Sequence, residues 1–226
     1  MEGSSRNVDD VCSRGTYLSS HMSSRDNEII NADRVAEELI HRRIFTDYEW
    51  LFYESVGSTN DVAKDRLLAN AEQKTIIVCA RQQTNGRGRG INRWVSTRPN
   101  NVYLSFGFPI RTGPPLYFSQ TLAERIARLF RDIFFVDLTV KAPNDLLLNG
   151  KKVGGILIEV PAKTKGWVLG IGINLFSDPG LQEQCAQPVG AIDSAKCLQP
   201  DMVILELCYI LAELVEEMEK KFSMKM

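Results

Sequence analysis

The chain has 226 residues, 44% of them hydrophobic and 24% charged, which is enough apolar side chain to bury a core rather than remain a solvated coil. Its 27 basic and 28 acidic side chains leave a formal charge of -1, so no global field draws it to nucleic acid or to an anionic membrane. The five cysteines (Cys12, Cys79, Cys185, Cys197 and Cys208) never fall in a CxxC spacing and only two histidines, His21 and His41, occur; a disulfide framework, a zinc cluster and a histidine triad are disfavoured, and no run of about 18 apolar residues offers a membrane span.

Residues 1–28 are rich in Ser, Arg, Asn and Asp without hydrophobic period, and a disordered leader is expected there. A cytoplasmic protein is the simpler expectation; a mitochondrial or plastid transit peptide is the alternative, against which Asp9 and Asp10 count. Asn31 is a plausible N-cap for a helix carrying Val35, Ala36, Leu39 and Ile40 on one face. Trp50 to Tyr53 reads as a short strand, Ser58 to Asp61 as the start of a helix through Ala63, Leu67 and Leu68, and Thr75 to Ala80 as a buried strand. The segment from Arg81 to Arg93 has Ile91 as its single large apolar residue, and its part from Thr84 to Arg93 is expected to gain order only on a ligand.

Asn101 to Pro109 alternates as a strand, and Leu122, Ile126, Leu129, Phe130 and Ile133 have the spacing of an amphipathic helix. Strands are expected at Asp137 to Val140, Asp145 to Leu148, Val153 to Val160 and Trp167 to Ile173, with Asn149-Gly150 as a hairpin turn. A last helix runs from Pro200 to Phe222 with Ile204, Leu207, Leu211, Leu214, Val215 and Met218 inward. Hairpins mixed with segregated helices imply an α+β domain, a mixed and largely antiparallel sheet with packed helices.

Gly86-Arg87-Gly88-Arg89-Gly90 sets two guanidinium groups on a backbone that can approach a ligand closely, and guanidinium matches phosphate or carboxylate in a fork. Alone the pattern equally suits an RNA-binding tail, but its place between two strands favours a ligand loop, and no Walker A lysine follows. Lys141-Ala142-Pro143-Asn144-Asp145 gathers a cation, an amide and a carboxylate, although Pro-Asn-Asp is also plain turn chemistry. Lys152 precedes Gly154 and Gly155, and Gly170 and Gly172 repeat the theme; glycine inside a strand marks close approach of a ligand or packing of another backbone.

Ser58-Thr59-Asn60, Gln83 to Arg89, Trp94-Val95-Ser96, Asn101 to Ser105, Lys141 to Asp145, Lys152 to Glu159 and Gly170 to Asn174 follow one another in the order and spacing of the biotin protein ligases. The chain resembles that family closely over residues 50–175 and more loosely to about 220. The resemblance implies a catalytic domain like that of the class II aminoacyl-tRNA synthetases, here spanning 29–226, without the small C-terminal β domain or the N-terminal helix-turn-helix found in relatives. It implies an ATP- and Mg²⁺-dependent ligase that makes biotinyl-5'-AMP and passes biotin to a lysine in the acceptor domain of a carboxylase. A homodimer is left open.

By the same resemblance Ser58, Thr59, Asn60 and Gln83 would hold biotin's ureido ring, Gly86, Gly88, Gly154 and Gly155 would line its pocket, and Arg87 would hold the biotin end. Arg89 and Lys152 would meet carboxylate and phosphate, with Trp94 closing over the adenylate. Lys141, Asn144 and Asn174 would face the nucleotide, Mg²⁺ would lie near Asn144 or Asp145, and Asp145 would steer the acceptor lysine's proton, coordinate metal or simply cap the turn. Two departures stand out. Ala142 replaces the family's tryptophan, a loss of about 3 kcal/mol of packing if that position is buried, and Gly90-Ile91-Asn92 lacks a further arginine. A lipoate or octanoate ligase of the same fold and a non-catalytic biotin-binding protein are the alternatives.

Overall fold

The computed structural model describes residues 29–69, 72–96, 98–99, 101–109, 113–162, 166–178, 180–193 and 198–223, so the leader expected over 1–28 lies outside the described residues. Helix α1 (Ala32–His41) begins at Asn31, whose side chain accepts the Arg34 N–H at 3.1 Å, as its N-cap chemistry predicts. Val35 and Leu39 are buried, but Ile40, expected on the same face, is 68% exposed because one residue beyond Leu39 turns the side chain about 100° around the helix. Strand β1 (Tyr48–Tyr53), helix α2 (Thr59–Ala69) and strand β2 (Thr75–Ala80) follow. β1 and β2 pair in parallel, so α2 is a crossover and must lie across one face of the sheet. Leu68, expected inward on α2, points outward instead.

The chain continues as β3 (Val102–Phe108), α3 (Phe118–Phe134), β4 (Thr139–Lys141), β5 (Asp145–Leu148), β6 (Lys151–Glu159), β7 (Trp167–Ile173) and α4 (Pro200–Ser223). β4 begins and ends later than expected, and β6 starts two residues earlier, directly after the turn. Asn149 and Gly150 both have positive φ, 51° and 77°, the backbone a two-residue hairpin requires. The seven strands form one sheet in the order β1-β2-β3-β7-β6-β5-β4, antiparallel except for the first pair.

Alternation along the central strands sends their side chains to two unlike faces. One face carries Val102, Leu104, Phe106 and Phe108 of β3 and Trp167, Leu169, Ile171 and Ile173 of β7, and it packs on α3 and α4 in the main core. Phe108 and Phe118 close on Trp167 with ring centroids 4.5 and 5.3 Å away. The other face holds a smaller cluster, Ala63 and Leu67 of α2 against Ile76, Val78 and Val168. Beyond it the same face carries Gly155, Gly170 and Gly172, positions where a side chain would meet Lys152, the Asn60 side chain of α2 or the Trp94 ring above the sheet. That uncovered half of the second face is the floor of the site.

Candidate active site

The N-terminus of α2 projects Ser58, Thr59 and Asn60 toward the glycine floor, each no more than 4% exposed. Buried polar groups cost free energy unless bonded, and Thr59 and Asn60 are joined in a chain. Gln83 Oε1 accepts the Thr59 N–H at 2.8 Å; the hydroxyls of Thr59 and Ser105 lie 2.7 Å apart; Ser105 Oγ lies 2.6 Å from Asn60 Oδ1; and Asn60 Nδ2 donates to Glu159 Oε2 at 2.8 Å. The carboxylate accepts only, which fixes Asn60 with its oxygen toward Ser105; Ser105 has one proton for Asn60 Oδ1 or Thr59 Oγ1, and Thr59 one proton for Ser105 or for Gln83 Oε1 at 3.0 Å. Gln83 thereby keeps its NH₂ free of Thr59.

Gly170 makes this wall possible, because a Cβ there would lie 2.2 Å from Asn60 Oδ1. Asn60 is clamped on both sides and cannot give way. Gly170→Ala is expected to destabilise the fold by about 1–3 kcal/mol, the usual cost of overpacking, as a lower urea midpoint; an unchanged midpoint would show that the start of α2 lifts freely.

A second group of side chains forms around Lys152. Regular alternation along β6 would put Lys152 with Gly154 on the core face, but the β5–β6 register shifts between Leu146 and Leu147, so that Leu146 faces Gly154 and Leu147 faces Lys152. This bulge sends Val153 into the core and turns Lys152 onto the floor beside Gly155, whose Cβ would sit 3.3 Å from Lys152 Cε. Lys152 Nζ pairs with Asp145 Oδ1 at 2.7 Å and lies 5.8 Å from the centroid of Trp94, both ion-pair side chains being under one-fifth exposed. Trp94 rests flat on Gly172, where a Cβ would approach its ring to 2.6 Å. The backbone of Lys152 is held by the segment after β7: its N–H donates to Pro188 O at 2.9 Å and its carbonyl accepts from Gly190 N at 2.9 Å.

The glycine–arginine segment stands between the two groups. Its base is already bonded, with Thr84 N to Val56 O at 2.8 Å, Gly88 N to Asn92 O at 2.9 Å and Trp94 N to Gly86 O at 3.0 Å, and Arg87 bridges to Arg93 in an antiparallel pair. Backbone hydrogen bonds supply at its base the hold that apolar contacts do not, while Thr84, Asn85 and the tip from Arg89 to Arg93 stand in solvent. Arg87 Nη2 is committed to Glu159 at 2.5 Å and Asp61 at 3.1 Å. Arg89 makes one long contact, 3.4 Å to Asn144 Oδ1.

These groups enclose a cavity of about 1080 Å³ lined by Ser58, Thr59, Asn60, Gln83, Arg87, Gly88, Arg89, Trp94, Asn144, Asp145, Lys152 and Gly155 among others. Four expected positions do not line it. Gly86 faces an adjoining groove and backs onto Trp94 O; Gly154 faces Leu146 across the sheet; Lys141 is exposed on the edge strand. Asn174 is 4% exposed and spends its Nδ2 on Gly190 O at 3.0 Å, which ties down the segment that holds Lys152. Ala142 is exposed in the turn before β5, so its small side chain leaves no void in the core and the expected packing loss does not arise.

Sequence reasoning missed Ser105, Asp61, Glu159 and the returning segment Gln184 to Gln187. Glu159 was within a quoted motif, and alternation from Gly155 through Leu157 would have put it on the floor side. Cys185 also lines the cavity; burial pushes its thiol up, against the pull of Lys152, which leaves it a poor nucleophile at neutral pH. No group of three or more His, Cys, Asp or Glu arranged for a metal occurs among the described residues. Asp145 and Asn144 are the oxygen donors beside Lys152, a set that fits a cation arriving on phosphates rather than one caged by protein.

An uncharged polar wall at one end, two convergent cations at the other and a glycine floor between them define an α+β domain whose one cavity has room and charge for a polar head group and anions together. A model of the Biotin/lipoate A/B protein ligase family matches residues 52–174, and the chain belongs to that family. Over 136 residues it is 32% identical to the bifunctional ligase/repressor BirA of Bacillus subtilis, a match covering 57% of this chain and 41% of that protein. The chain thus spans less than half the length of this relative. Among solved structures, the biotin protein ligase from Aquifex aeolicus in complex with biotin and ATP superposes with a TM-score of 0.63 at 24% identity over 78% of this chain and 73% of that one, a likeness of fold. The biotin protein ligase from Leishmania major in complex with biotinyl-5-AMP gives 0.58 at 25% identity over 77% and 80%. No helix of the described residues is long and apolar enough to cross a membrane.

Proposed function

We infer that the chain is an ATP-dependent biotin protein ligase whose catalytic domain is 29–226. The carrying observation is the union, in one cavity of about 1080 Å³, of the Thr59–Gln83 wall with Lys152 and Arg89. A cavity at the upper end of the small-ligand range accommodates two substrates at once. The free NH₂ of Gln83 and the Ser58 and Thr59 hydroxyls suit a ureido ring, which both donates and accepts. A dithiolane or an octanoyl tail would leave the same buried groups unpaired, which disfavours a lipoate or octanoate ligase.

Biotin's carboxylate is ionised at neutral pH and needs no base to attack the α-phosphate, only neutralisation of two anions brought together. Lys152 and Arg89 are the cations for that step, and Trp94 is the aromatic surface for the adenylate. The carboxylate oxygen bonds to phosphorus, pyrophosphate leaves, and biotinyl-AMP remains. The neutral amine of an acceptor-domain lysine then attacks the acyl carbon; AMP leaves and the amine's proton is lost, with Asp145 the nearest carboxylate to Lys152. Mg²⁺ entering with ATP would find oxygen donors in Asn144 and Asp145. The described free cysteines, Cys79, Cys185 and Cys208, suit a reducing compartment such as the cytoplasm.

The test is incubation of the full chain with ATP, Mg²⁺, biotin and a biotin-acceptor domain, read by intact mass. One biotinyl addition on the acceptor is expected. Binding of biotin with neither adenylate nor transfer would leave a binding protein, and a preference for lipoate would move the chain to the other branch of its family.

A further inference from the structure

The roles implied for the family's motifs leave Glu159 at the end of β6 without one. Its Oε2 meets both halves of the site: it accepts from Asn60 Nδ2 at 2.8 Å and pairs with Arg87 Nη2 at 2.5 Å. Behind Asn60 the hydrogen bonds run through Ser105 and Thr59 to Gln83; behind Arg87 lies the bonded base of the arginine hairpin. Asp61 also reaches Arg87 at 3.1 Å, but it is more exposed and shares the same Oδ1 with Lys64 at 3.1 Å, so its hold is divided and screened.

We propose that Glu159 is a positioning residue that couples filling of the polar wall to closure of the arginine hairpin, an inference that rests on the ligase reading. A head group bonded to Gln83 and Thr59 fixes the direction of the hydroxyl chain. Ser105 then donates steadily to Asn60 Oδ1, Asn60 keeps its NH₂ on Glu159, and the carboxylate holds Arg87 in register. Without that head group the Thr59 proton can turn to Gln83 Oε1 at 3.0 Å and the Ser105 proton to Thr59, so that Asn60 Oδ1 loses its donor and the amide holds Glu159 less firmly against Arg87. Filling of one end of the cavity is thereby felt by the loop that carries Arg89 to the other, as a coupling between two sites through a contiguous bonded path.

Glu159→Gln keeps the size of the side chain and an acceptor for Asn60 but removes the charge that holds Arg87. Hydrogen exchange is followed across residues 86–93 with and without biotin, beside steady-state pyrophosphate release, in the full chain. The parent is expected to gain protection at the hairpin on adding biotin, and the variant to lose most of that gain. KM for biotin should rise about tenfold, a typical coupling factor, with a much smaller change in kcat. Arg87→Gln cuts the same bridge from the loop side and should reproduce the loss of protection, with the double variant no worse than either single one. Should Glu159→Gln fail to fold by circular dichroism, Arg87→Gln carries the exchange comparison. Parent-like protection in the variants, or losses that add in the double variant, would overturn the coupling while leaving the ligase reading intact. A parent chain with no biotin-dependent protection or pyrophosphate release would overturn both.

Discussion

Replacing Lys152 with alanine is expected to slow biotin-dependent pyrophosphate release by at least ~10²-fold, the usual cost of losing one preorganised donor to developing phosphate charge. The ammonium is held in place before any substrate arrives, by Asp145 at 2.7 Å, by the Trp94 ring and by a backbone pinned between Pro188 and Gly190. Such preorganisation is what makes a charge effective in the transition state, since nothing must reorient when the two anions meet. The substitution also strands the largely buried Asp145 without its cation, so stability should fall together with activity. Lys152→Ala combined with Asp145→Asn separates the two effects. The double variant should recover much of the lost thermal stability and none of the pyrophosphate release. Release at the parental rate in Lys152→Ala would demote the lysine to a partner of Asp145.

Arg89→Gly should act at two stages. Arg89 stands at the exposed tip of a hairpin whose base is anchored, and its single described contact reaches across the cavity mouth to Asn144 at 3.4 Å. Bound carboxylate and phosphate would give the guanidinium a bidentate partner much stronger than that long contact, drawing the tip inward as a latch. Without it, adenylation should slow by about 10²-fold as a second charge is lost, and any biotinyl-AMP that forms should escape early. A mixed anhydride reacts with amines unaided, so leakage would biotinylate exposed lysines of bystander proteins once the closed loop no longer excludes water and sequesters it. Parent and variant are each mixed with ATP, biotin and serum albumin, and biotin on albumin is compared with adenylate retained through gel filtration. Retention as firm as the parent's, with no added label on albumin, would remove Arg89 from the latch role.

Both predictions draw on residues that were legible in the sequence, but their stated physics was not. The Gly-Arg repeat, Lys152 and the order of the seven motifs could be read directly, because they are local patterns or a resemblance carried by spacing. That Arg87 is engaged by Glu159 and Asp61 while Arg89 is nearly free could not be read from a repeat in which the two arginines look equivalent. Lys141 and Asn174 show the converse. Both belong to motifs, yet one faces solvent on an edge strand and the other bonds Gly190 in the segment that holds Lys152, since a motif records which residues occur together and not which way each points.

The sequence by itself determined what depends on neighbours along the chain. The cap at Asn31, the Asn149-Gly150 turn, the periodic faces of α3 and α4 and the alternation of β3 and β7 follow from short-range sterics and from the 3.6- and 2-residue periods. Tertiary structure decided what depends on pairing between distant segments. The parallel β1–β2 pair commits α2 to the glycine face, and the shift between β5 and β6 turns Lys152 from the core side to the cavity. A bulge arises from the register of two strands, not from the composition of either, so a side chain's face can reverse without any local signal. The same long-range pairing assembles Gln83, Thr59, Ser105, Asn60 and Glu159 into one hydrogen-bonded path, although they lie on four separate stretches of chain.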